Sequence, residues 1–524
     1  MSTTTGTTGT TGATTAVGAP PQPPVSRAWL AAAGAIAGAC AIGLSEATAW
    51  ALRADTSPVA AVAAVVRDAT PGAVAEALIG LVGSADKPLL LGGTVVLFLG
   101  VCAYAASWVR RAPLVPDLVF LALAAIGLAA VMSQPTPGTA AALALVVGVM
   151  TWVVTLRLLT GPVLDDRPGS EREGRRRFLK RAGLVLGVTA ALTVAGRVAG
   201  GARRSVEQSR RLLRLPVTPG EVPSSADLRV DGVAPWRTPD EEFYLIHTAL
   251  ASPAIRPEDW ALRIHGMVDR EVRLTYQDLI DRRLTEAWVT LCCVSNPVGG
   301  DLVGNAFWSG VPIREVLAAA GVRDGADAVL QTSQDGWTCS TPLEALTDDR
   351  NALLAVAMNG RPLPVDHGFP VRMVVPGLYG YVSATKWLVD LEVTRFDDVT
   401  AFWTERGWGE RGPVKTMSRV DVPEDGADVP AGEVVLGGVA WAQHTGIERV
   451  QVQLDGGPWR EADLGGSANA DTWVQWRLRV EVDPGEHQVV VRATDRSGYT
   501  QTAARADVVP DGATGWDGHS FTAR

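Results

Sequence analysis

The feature that most constrains this chain is a series of long, almost uncharged apolar runs within residues 28–200. Each run is close to the ~20 residues that a helix needs to cross a bilayer. A backbone in hydrocarbon must satisfy its own hydrogen bonds, which a continuous helix does. We therefore predict five membrane-spanning helices, at roughly 28–52, 88–109, 117–133, 139–159 and 181–200.

Two stretches of this N-terminal region lack that character. Residues 1–26 are mainly Thr, Gly and Pro, with too few bulky apolar side chains to bury, so we predict a disordered tail. The segment 57–87, between the first two runs, carries Arg67, Asp68 and Glu76, which are costly in hydrocarbon. It is predicted to form an interfacial helical hairpin rather than a span.

The basic residues predict the orientation of the spans. Arg110, Arg111 and the basic cluster at 157–181 fall on one side if the N-terminus is cytoplasmic, as the positive-inside rule expects. The predicted topology is a multi-pass protein of the cell membrane with its N-terminus inside. Everything after residue 200 then lies on the extracytoplasmic side.

The last basic cluster contains a more specific pattern. Residues 175–180 read RRRFLK and resemble the R-R-x-F-L-K signal of twin-arginine export. An ordinary positive-inside cluster would also be rich in arginine, but Phe, Leu and Lys at this offset before a weakly apolar helix go beyond charge bias. Because that route exports proteins already folded, often with a cofactor inserted, a buried cofactor is expected downstream.

The histidines limit the redox chemistry of the helical part. All six lie beyond the last predicted span. A membrane haem held by two histidines is therefore excluded within this chain, and no C-x-x-C-H motif offers a covalent haem. The helices are interpreted as an anchor or docking surface.

The remainder of the chain predicts a multi-domain protein. Residues 201–235 are polar, with Pro and Gly, and are interpreted as a linker. Short strands alternate with helical segments over 236–405, which predicts an α+β domain. Closely spaced strands over 412–510 predict an all-β immunoglobulin-like sandwich, followed by a tail at 511–524. Its core is expected to contain Trp441, Trp459, Trp473 and Trp476.

Two adjacent cysteines, Cys292 and Cys293, are the main chemical feature of the α+β domain. We considered a structural disulfide, half of a metal site, and a single soft ligand with an inert neighbour. Adjacent cysteines rarely form a disulfide, because the preferred Cα separations conflict with one intervening peptide bond. A zinc site would call for C-x-x-C pairs or clustered histidines. A single thiolate on a softer, redox-active metal remains.

Several motifs around these cysteines resemble one known family. TLCCVSNPVGGDLVGNAFWSGVPIREVLAAAG, SQDGWTCSTPLEAL and LLAVAMNGRPLPVDHGFPVRMVVPGLYGYVSATKWLVDLEV are similar, in wording and order, to the sulfite oxidase family of molybdopterin enzymes. The resemblance extends into the sandwich, which looks like that family's molybdenum-cofactor dimerisation domain. It implies that Cys293 is the one protein ligand of molybdenum and that Cys292 occupies a variable place. A soft thiolate suits such a metal.

The same resemblance implies a set of residues that bind the pterin. His367 and Arg372 correspond to the phosphate-binding positions, and an arginine fork matches phosphate geometry. Ser383 and Lys386 fall in the matching basic turn, and Asp335 at the pterin-side carboxylate. The stretch EEFYLIHTAL corresponds to the family's opening aromatic segment. It implies that Phe243, Tyr244 and His247 line the cofactor. His247 could equally be an ordinary core or surface histidine.

One departure from the family concerns the substrate. Sulfite oxidases have two arginines after the Asn of the cysteine motif, whereas this chain has Pro297 and Val298 after Asn296. Without those cations the capture of a small dianion weakens. Sulfite oxidation and reduction of a sulfoxide or another small oxo compound therefore both remain open.

The resemblance as a whole implies a membrane-anchored molybdenum oxidoreductase that transfers an oxygen atom to or from a small molecule, with Mo-molybdopterin as its cofactor. Electrons would pass to or from a separate c-type cytochrome or quinone-linked membrane protein. The sandwich implies a homodimer, and no nucleic-acid partner is expected. The alternative of another class is a non-catalytic, membrane-anchored binding or assembly module, which would hold no molybdenum.

Overall fold

The computed structural model describes residues 27–52, 54, 56–70, 86–134, 139–164 and 171–524. The predicted disordered tail, residues 1–26, and the second half of the predicted interfacial hairpin, residues 71–85, lie outside the described residues. The helices before the soluble domains are α1 (Arg27–Ala51), α2 (Pro58–Ala69), α3 (Asp86–Ala106), α4 (Val115–Met132), α5 (Thr139–Val163), α6 (Glu171–Gly200) and α7 (Ala202–Leu212).

Helices α1 to α6, called the helical region below, pack around α1. Within the described residues, five stretches, starting at α1, α3, α4, α5 and within α6, are long and apolar enough to cross a membrane by length and composition. Helix α1 lies against α3, α5 and α6, and glycine permits the closest approaches. A Cβ on Gly34 would lie 2.4 Å from the Cys102 carbonyl oxygen, and one on Gly196 would lie 2.5 Å from that of Ala47.

Helix α6 begins before the apolar run and includes the arginine motif. Residues 175–180 are helical, and Phe178 packs edge-on against Trp29 with ring centroids 5.1 Å apart. Large apolar side chains elsewhere in the helical region point outward; Val96 and Leu97 are each 70% exposed. An outward apolar surface of this kind matches a lipid environment better than water.

The predicted linker at 201–235 is not a free linker. It starts with helix α7, where Arg203 forms an ion pair with Asp366 and Arg210 donates to the Pro362 carbonyl at 3.0 Å. Farther along, Ala226 is fully buried. The polar composition reflects side chains that bind the α+β domain.

The α+β domain contains two five-stranded sheets, in orders β2-β1-β10-β5-β6 and β3-β4-β7-β8 with β9 beside β7. The β3–β4 hairpin pairs Cys292 with Val303 and places the cysteine pair at its turn. Its elements are β1 (Ala261–Gly266), β2 (Val272–Thr275), α8 (Tyr276–Ile280), β3 (Thr285–Cys292), β4 (Val303–Pro312), α9 (Ile313–Ala320), β5 (Ala328–Ser333), β6 (Thr338–Pro342), α10 (Leu343–Thr347), β7 (Leu353–Met358), β8 (Arg361–Pro362), β9 (Arg372–Val374), α11 (Gly380–Ser383) and β10 (Leu388–Thr394).

The C-terminal domain is a β-sandwich of two sheets, in orders β11-β13-β17-β16 and β12-β19-β18-β14-β15. The tail predicted at 511–524 is wrong in part, because residues 517–523 form a strand between two others. The turn-rich PDGATGW sequence before it, residues 510–516, obscured the strand DGHSFTA. The strands are β11 (Met417–Val422), β12 (Ala427–Val429), β13 (Gly432–Trp441), β14 (Ile447–Leu454), β15 (Arg460–Glu461), β16 (Asp463–Leu464), β17 (Val474–Val482), β18 (Gly485–Asp495) and β19 (Asp517–Ala523).

The four tryptophans of the sandwich have different surroundings. Trp476 belongs to the sandwich core, whereas Trp441 and Trp473 pack into the core of the α+β domain. Trp459 is only half-buried and lies under the Arg492 guanidinium, 4.1 Å from the ring centroid. Two of the predicted core residues therefore join the domains rather than fill the sandwich.

A buried polar junction also joins the two domains. Asn305 is fully buried; its Nδ2 donates to the Trp236 carbonyl at 2.9 Å, and its Oδ1 accepts from Thr290 Oγ1 at 3.0 Å. The same Thr290 hydroxyl accepts from the Trp473 backbone N–H at 2.8 Å. Strand β3, which leads to the cysteines, is thereby tied to both the preceding segment and the sandwich.

Replacing Asn305 by alanine should therefore lower thermal stability markedly. It leaves buried donors and acceptors without partners, which costs about 2–4 kcal/mol and corresponds to a midpoint lower by roughly 5–10 °C. Thermal unfolding of the full-length protein measures the shift. Gln277→Ala, on the exposed face of α8, is the matched control and should change stability by less than about 0.5 kcal/mol. Equal midpoints for the two variants would contradict the proposed junction.

Candidate cofactor site

The cysteine pair lies in a tight loop at the end of β3. The Cys293 N–H donates to the Leu302 carbonyl at 2.9 Å, and the Asn296 N–H donates to the Cys293 carbonyl at 3.1 Å. The Asn296 side chain accepts from the Leu302 N–H at 2.9 Å. These bonds close the loop between β3 and β4, so the position of the Cys293 side chain is set by backbone geometry.

The two thiols have different surroundings. Both are free; Cys292 packs into the main core of the α+β domain, and Cys293 is 8% exposed. Burial raises the pKa of Cys293, while hydrogen bonds from Ser295 and the charge of Lys386 act in the opposite direction. Burial also raises the pKa of Cys292, which its neighbour's charge raises further. A thiol of this kind stays protonated until a metal replaces the proton.

Arg372, on β9, is a buried cation without a carboxylate partner among the described residues. Its three side-chain bonds go to backbone carbonyls, at 3.2 Å from His367, 3.4 Å from Ala384 and 3.4 Å from Met373. The guanidinium lies 5.0 Å from the centroid of the Trp308 ring. Burial lowers the pKa of Arg372 to about 10. The arginine is held rigidly but its charge is not neutralised.

Two further polar atoms beside Arg372 are buried and lack hydrogen-bond partners within the described residues. They are Lys386 Nζ and His367 Nδ1. Burial, with the charge of Arg372, puts the pKa of Lys386 well below its usual range. Burial, Lys386 and Arg372 lower the pKa of His367 to about 3. The His367 Nε2–H donates to the Asp240 carbonyl at 3.2 Å, which leaves Nδ1 directed elsewhere.

Gly368 explains how these side chains come so close. Its φ of +108° is in the left-handed region, and a Cβ there would lie 2.9 Å from Arg372 Cβ and 3.1 Å from Lys386 Cα. A side chain at this position would push the arginine and the lysine apart. In the HGF sequence of residues 367–369, the glycine therefore allows the close packing of Arg372 and Lys386, and the histidine is His367 itself.

Aromatic side chains form one wall of this cluster. Phe243 contacts His367 edge-on, with centroids 5.7 Å apart, and stacks on Tyr244 at 5.2 Å. Burial raises the pKa of the Tyr244 hydroxyl well above its usual value, and the Cys293 charge adds to this rise. His247 lies edge-on to Trp387 at 5.4 Å, and burial and nearby Lys386 lower the pKa of this histidine to about 3.

Asp335 and Ser383 are not drawn into the cluster by any hydrogen bond within the described part of the chain. Asp335 accepts from the Trp337 N–H at 3.4 Å, which is a local turn contact. The fully buried Ser383 hydroxyl donates to the Tyr379 and Leu378 carbonyls. Their roles in binding a pterin stay predictions.

Sequence reasoning missed residues that line this cluster. Trp308 lies against Arg372, and Trp387 lies between His247 and Lys386. Trp387 directly follows Lys386, so the KW pair in the sequence could have indicated that this tryptophan lies at the site. Lys87 from helix α3 also contacts His247, with Nζ 3.2 Å from Nδ1, and no local sequence pattern indicates a contact across that distance in the chain.

The residues fit an anionic, metal-bearing cofactor. Unpartnered buried cations are costly unless a negative group joins them, and Arg372 and Lys386 together suit a phosphate. Beside such an anion, His367 Nδ1 would take up a proton and become a third donor. No group of three or more His, Cys, Asp or Glu able to hold a metal occurs among the described residues. A metal at Cys293 would therefore depend on ligands that the cofactor brings, as a dithiolene pterin does.

Family comparisons agree with this donor set. Residues 249–403 match the family described as oxidoreductase molybdopterin binding domain, and residues 397–509 match the Mo-co oxidoreductase dimerisation domain. The first match contains Cys293, His367, Arg372 and Lys386, whereas Phe243, Tyr244 and His247 precede it. The second covers most of the sandwich.

Several known proteins are similar to this chain. The chain is 30% identical to sulfite oxidase of Gallus gallus over 351 residues, covering 55% of this chain and 76% of that protein. It is 30% identical to mitochondrial sulfite oxidase of Rattus norvegicus over 311 residues and spans only 56% of that protein's length. Among solved structures, the sulfane dehydrogenase SoxCD of Paracoccus pantotrophus is 25% identical with a TM-score of 0.47, over 54% of this chain and 79% of that one.

Proposed function

The chain belongs to the sulfite oxidase family of molybdopterin-dependent oxidoreductases, and from this we propose that it transfers an oxygen atom to or from a small substrate on the extracytoplasmic side of a membrane. It is a molybdenum-dependent oxidoreductase with Mo-molybdopterin as its cofactor. The observation that supports the site assignment best is the pair of buried cations Arg372 and Lys386, which have no carboxylate partner within the described residues, in the same domain as the buried, free Cys293 thiol.

Each residue of the site has a distinct proposed role. When bound, the molybdenum centre supplies the two-electron exchange that accompanies oxygen-atom transfer. Cys293 would hold the metal. Arg372, Lys386 and His367 would bind the phosphate end of the pterin, and Phe243, Tyr244 and His247 would line it. Asp335 and Ser383 are proposed at the pterin-side turns on the family resemblance alone.

The proposed location rests on composition and on contacts. With the N-terminus inside and five spans, residues 53–86 and all residues after 200 lie on the same side. In agreement with this topology, α2 contacts the domains that follow residue 200. Arg67 Nη1 donates to the Thr248 carbonyl at 2.9 Å, and Arg406 Nη2 donates to the Asp68 carbonyl at 2.8 Å. The 175–180 motif is proposed as the twin-arginine signal that exports the folded domains.

The remaining architectural assignments are also proposals. The oxidoreductase domain is proposed to occupy 236–405 and the sandwich to start near 412 with an immunoglobulin-like arrangement. The match to a dimerisation domain supports a homodimer through the sandwich. Because the chain's histidines offer no haem pair in the predicted spans, a separate c-type cytochrome or quinone-linked membrane protein is proposed as the electron partner.

A second candidate, reduction of an uncharged oxo compound such as a sulfoxide, is favoured by the loop after the cysteines. Pro297 and Val298 supply no charge there. Arg419, at one edge of this loop, donates to the Gly300 carbonyl at 2.9 Å and to Asp421 at 2.6 Å, so its charge is already neutralised. Two uncharged residues in place of two arginines give the loop less attraction for a dianion such as sulfite.

Two measurements on the purified full-length protein test the proposal. Elemental analysis should find roughly one molybdenum atom per chain, as expected for a mononuclear molybdopterin enzyme. A screen should then score sulfite oxidation against sulfoxide reduction with artificial electron carriers. Absence of molybdenum after expression with intact cofactor synthesis would instead support the non-catalytic binding or assembly module.

A further inference from the structure

The segment 247–252, which follows the aromatic wall of the site, is held by the helical region. Lys87, in the first turn of α3, donates through Nζ to the His247 carbonyl at 2.8 Å and lies 3.2 Å from the His247 Nδ1. Arg67, near the end of α2, donates to the Thr248 carbonyl at 2.9 Å. Both contacts join parts of the chain more than 150 residues apart.

The other end of the same segment is held from the opposite flank. Ser252 donates to Asp366 at 2.5 Å, and Arg203 of α7 donates to both oxygens of that carboxylate at 2.9 and 2.7 Å. Asp366 directly precedes His367 of the cation cluster. The segment 247–252 is thus clamped between the helical region and α7, next to the residues proposed to bind phosphate.

Lys87 is electrically part of the cation cluster. The His247 ring lies 5.4 Å from the Trp387 ring, and Lys386 Nζ lies 5.8 Å from the centroid of that same ring. Lys87 thus contacts a histidine that adjoins the tryptophan beside the buried Lys386 ammonium. The charge of Lys87 is one of those that lower the pKa of Lys386.

Lys87 also defines the protonation of His247. An ammonium has only donors, so the Nδ1 atom that it contacts must accept. The proton of the neutral imidazole then resides on Nε2, the ring nitrogen that does not contact Lys87. With the lysine in place, the neutral His247 ring donates through Nε2 only.

We propose that Lys87 of the helical region is a positioning residue of the cofactor site, which fixes His247 as a donor and adds positive charge at the phosphate-bearing end of the pterin. This inference rests on the proposed function. Its consequence is that retention of the cofactor depends on docking of the helical region onto the oxidoreductase domain. Lipid phosphate is the other anion available near a helix end, and the test below separates the two sources.

The test measures loss of cofactor from the loaded full-length protein. Wild type, Lys87→Met and Lys87→Arg are passed through timed gel filtration, and released pterin and retained molybdenum are quantified. Lys87→Met should release the cofactor roughly tenfold faster, the effect of losing one favourable charge interaction of modest size. Lys87→Arg should stay within about twofold of wild type, because it keeps both donor and charge. Arg111→Met, on the exposed surface beyond the far end of α3, is the matched control and should release at the wild-type rate.

A double-mutant cycle tests the route through His247. If Lys87 acts through that histidine, Lys87→Met and His247→Ala should each accelerate release, and the double variant should be no faster than the worse single variant. Additive effects would overturn the positioning role. Thermal unfolding of the cofactor-free variants is measured in parallel. If the variants that release cofactor faster also have a correspondingly lower cofactor-free midpoint, the faster release is a structural effect and the positioning role is overturned.

The source of the phosphate is distinguished by the membrane mimic. The acceleration should be the same in phospholipid-free detergent and in nanodiscs with anionic lipid. An effect confined to nanodiscs would assign Lys87 to lipid headgroups and overturn the inference. A release rate of Lys87→Met equal to that of wild type in both media would also overturn the inference, and it would leave the proposed function intact. Wild-type protein that contains no molybdenum would refute the proposed function itself.

Discussion

Replacing Cys293 by serine should abolish redox turnover, with a loss of at least about a hundredfold, whereas Cys292→Ser should keep most of it. A serine hydroxyl is a poor substitute for a thiolate on a soft, high-valent metal. Cys292 packs into the apolar core, so its replacement mainly exchanges one small buried side chain for another. The pair is its own control, since the two residues are adjacent in one loop.

Turnover with artificial electron carriers, together with molybdenum content and thermal midpoint, measures the outcome for both variants. A Cys292→Ser midpoint lower by a few degrees would agree with the loss of a buried thiol. Equal loss of turnover in the two variants at equal molybdenum content would contradict the assignment of Cys293 as the ligand. Loss confined to Cys292→Ser would assign the metal to the other thiol.

Replacing Lys386 by methionine should have opposite effects on cofactor affinity and on stability. The lysine ammonium is buried and has no hydrogen-bond partner within the described residues, and burial depresses its pKa. Without cofactor it is a cost to the fold, and an apolar side chain of similar length should raise the free energy of unfolding by about 1–3 kcal/mol. With cofactor the same change removes a charge-assisted bond worth about 1.5–3 kcal/mol, a loss of roughly 10–150-fold in affinity.

Lys415→Met is the matched control for this prediction. Lys415 is half-buried, but its Nζ already donates to the Gly512 carbonyl at 2.6 Å, so it is satisfied without any ligand. Its replacement should lower stability slightly and leave pterin content unchanged. Thermal unfolding of cofactor-free protein and fluorescence of the released pterin measure the two effects. A cofactor-free Lys386→Met protein that is less stable than wild type would contradict the interpretation of Lys386 as an unneutralised charge.

The sequence predicted the parts of this molecule that depend on local pattern. The molybdopterin family, the enzyme class and the cofactor are confirmed, because several long motifs lie in one order along the chain. The apolar runs correspond to helices of membrane-spanning length. Within the site, Phe243, His367, Arg372 and Lys386 lie together, and their roles in binding a pterin stay predictions.

What the sequence did not predict depends on contacts between distant segments. Lys87 meets His247 across 160 residues, and no periodicity or motif marks such a pair. The segment 201–235 has the composition of a linker, yet its polar side chains are bonded to the neighbouring domain. Trp459 and Trp473 each lie directly before a strand, β15 and β17 respectively. Only the arrangement of the two domains decides which one is buried.

The position of β19 inside its sheet has a consequence for how the protein is made. Strand β19 pairs with β18 on one edge and with β12 on the other, so Asp517–Ala523 complete a sheet that began near residue 427. During translation the sheet stays open, with two unpaired edges, until these residues leave the ribosome. Exposed strand edges recruit other strands. A shortened protein ending at residue 510 should therefore aggregate or be degraded, even though every residue around Cys293 is present.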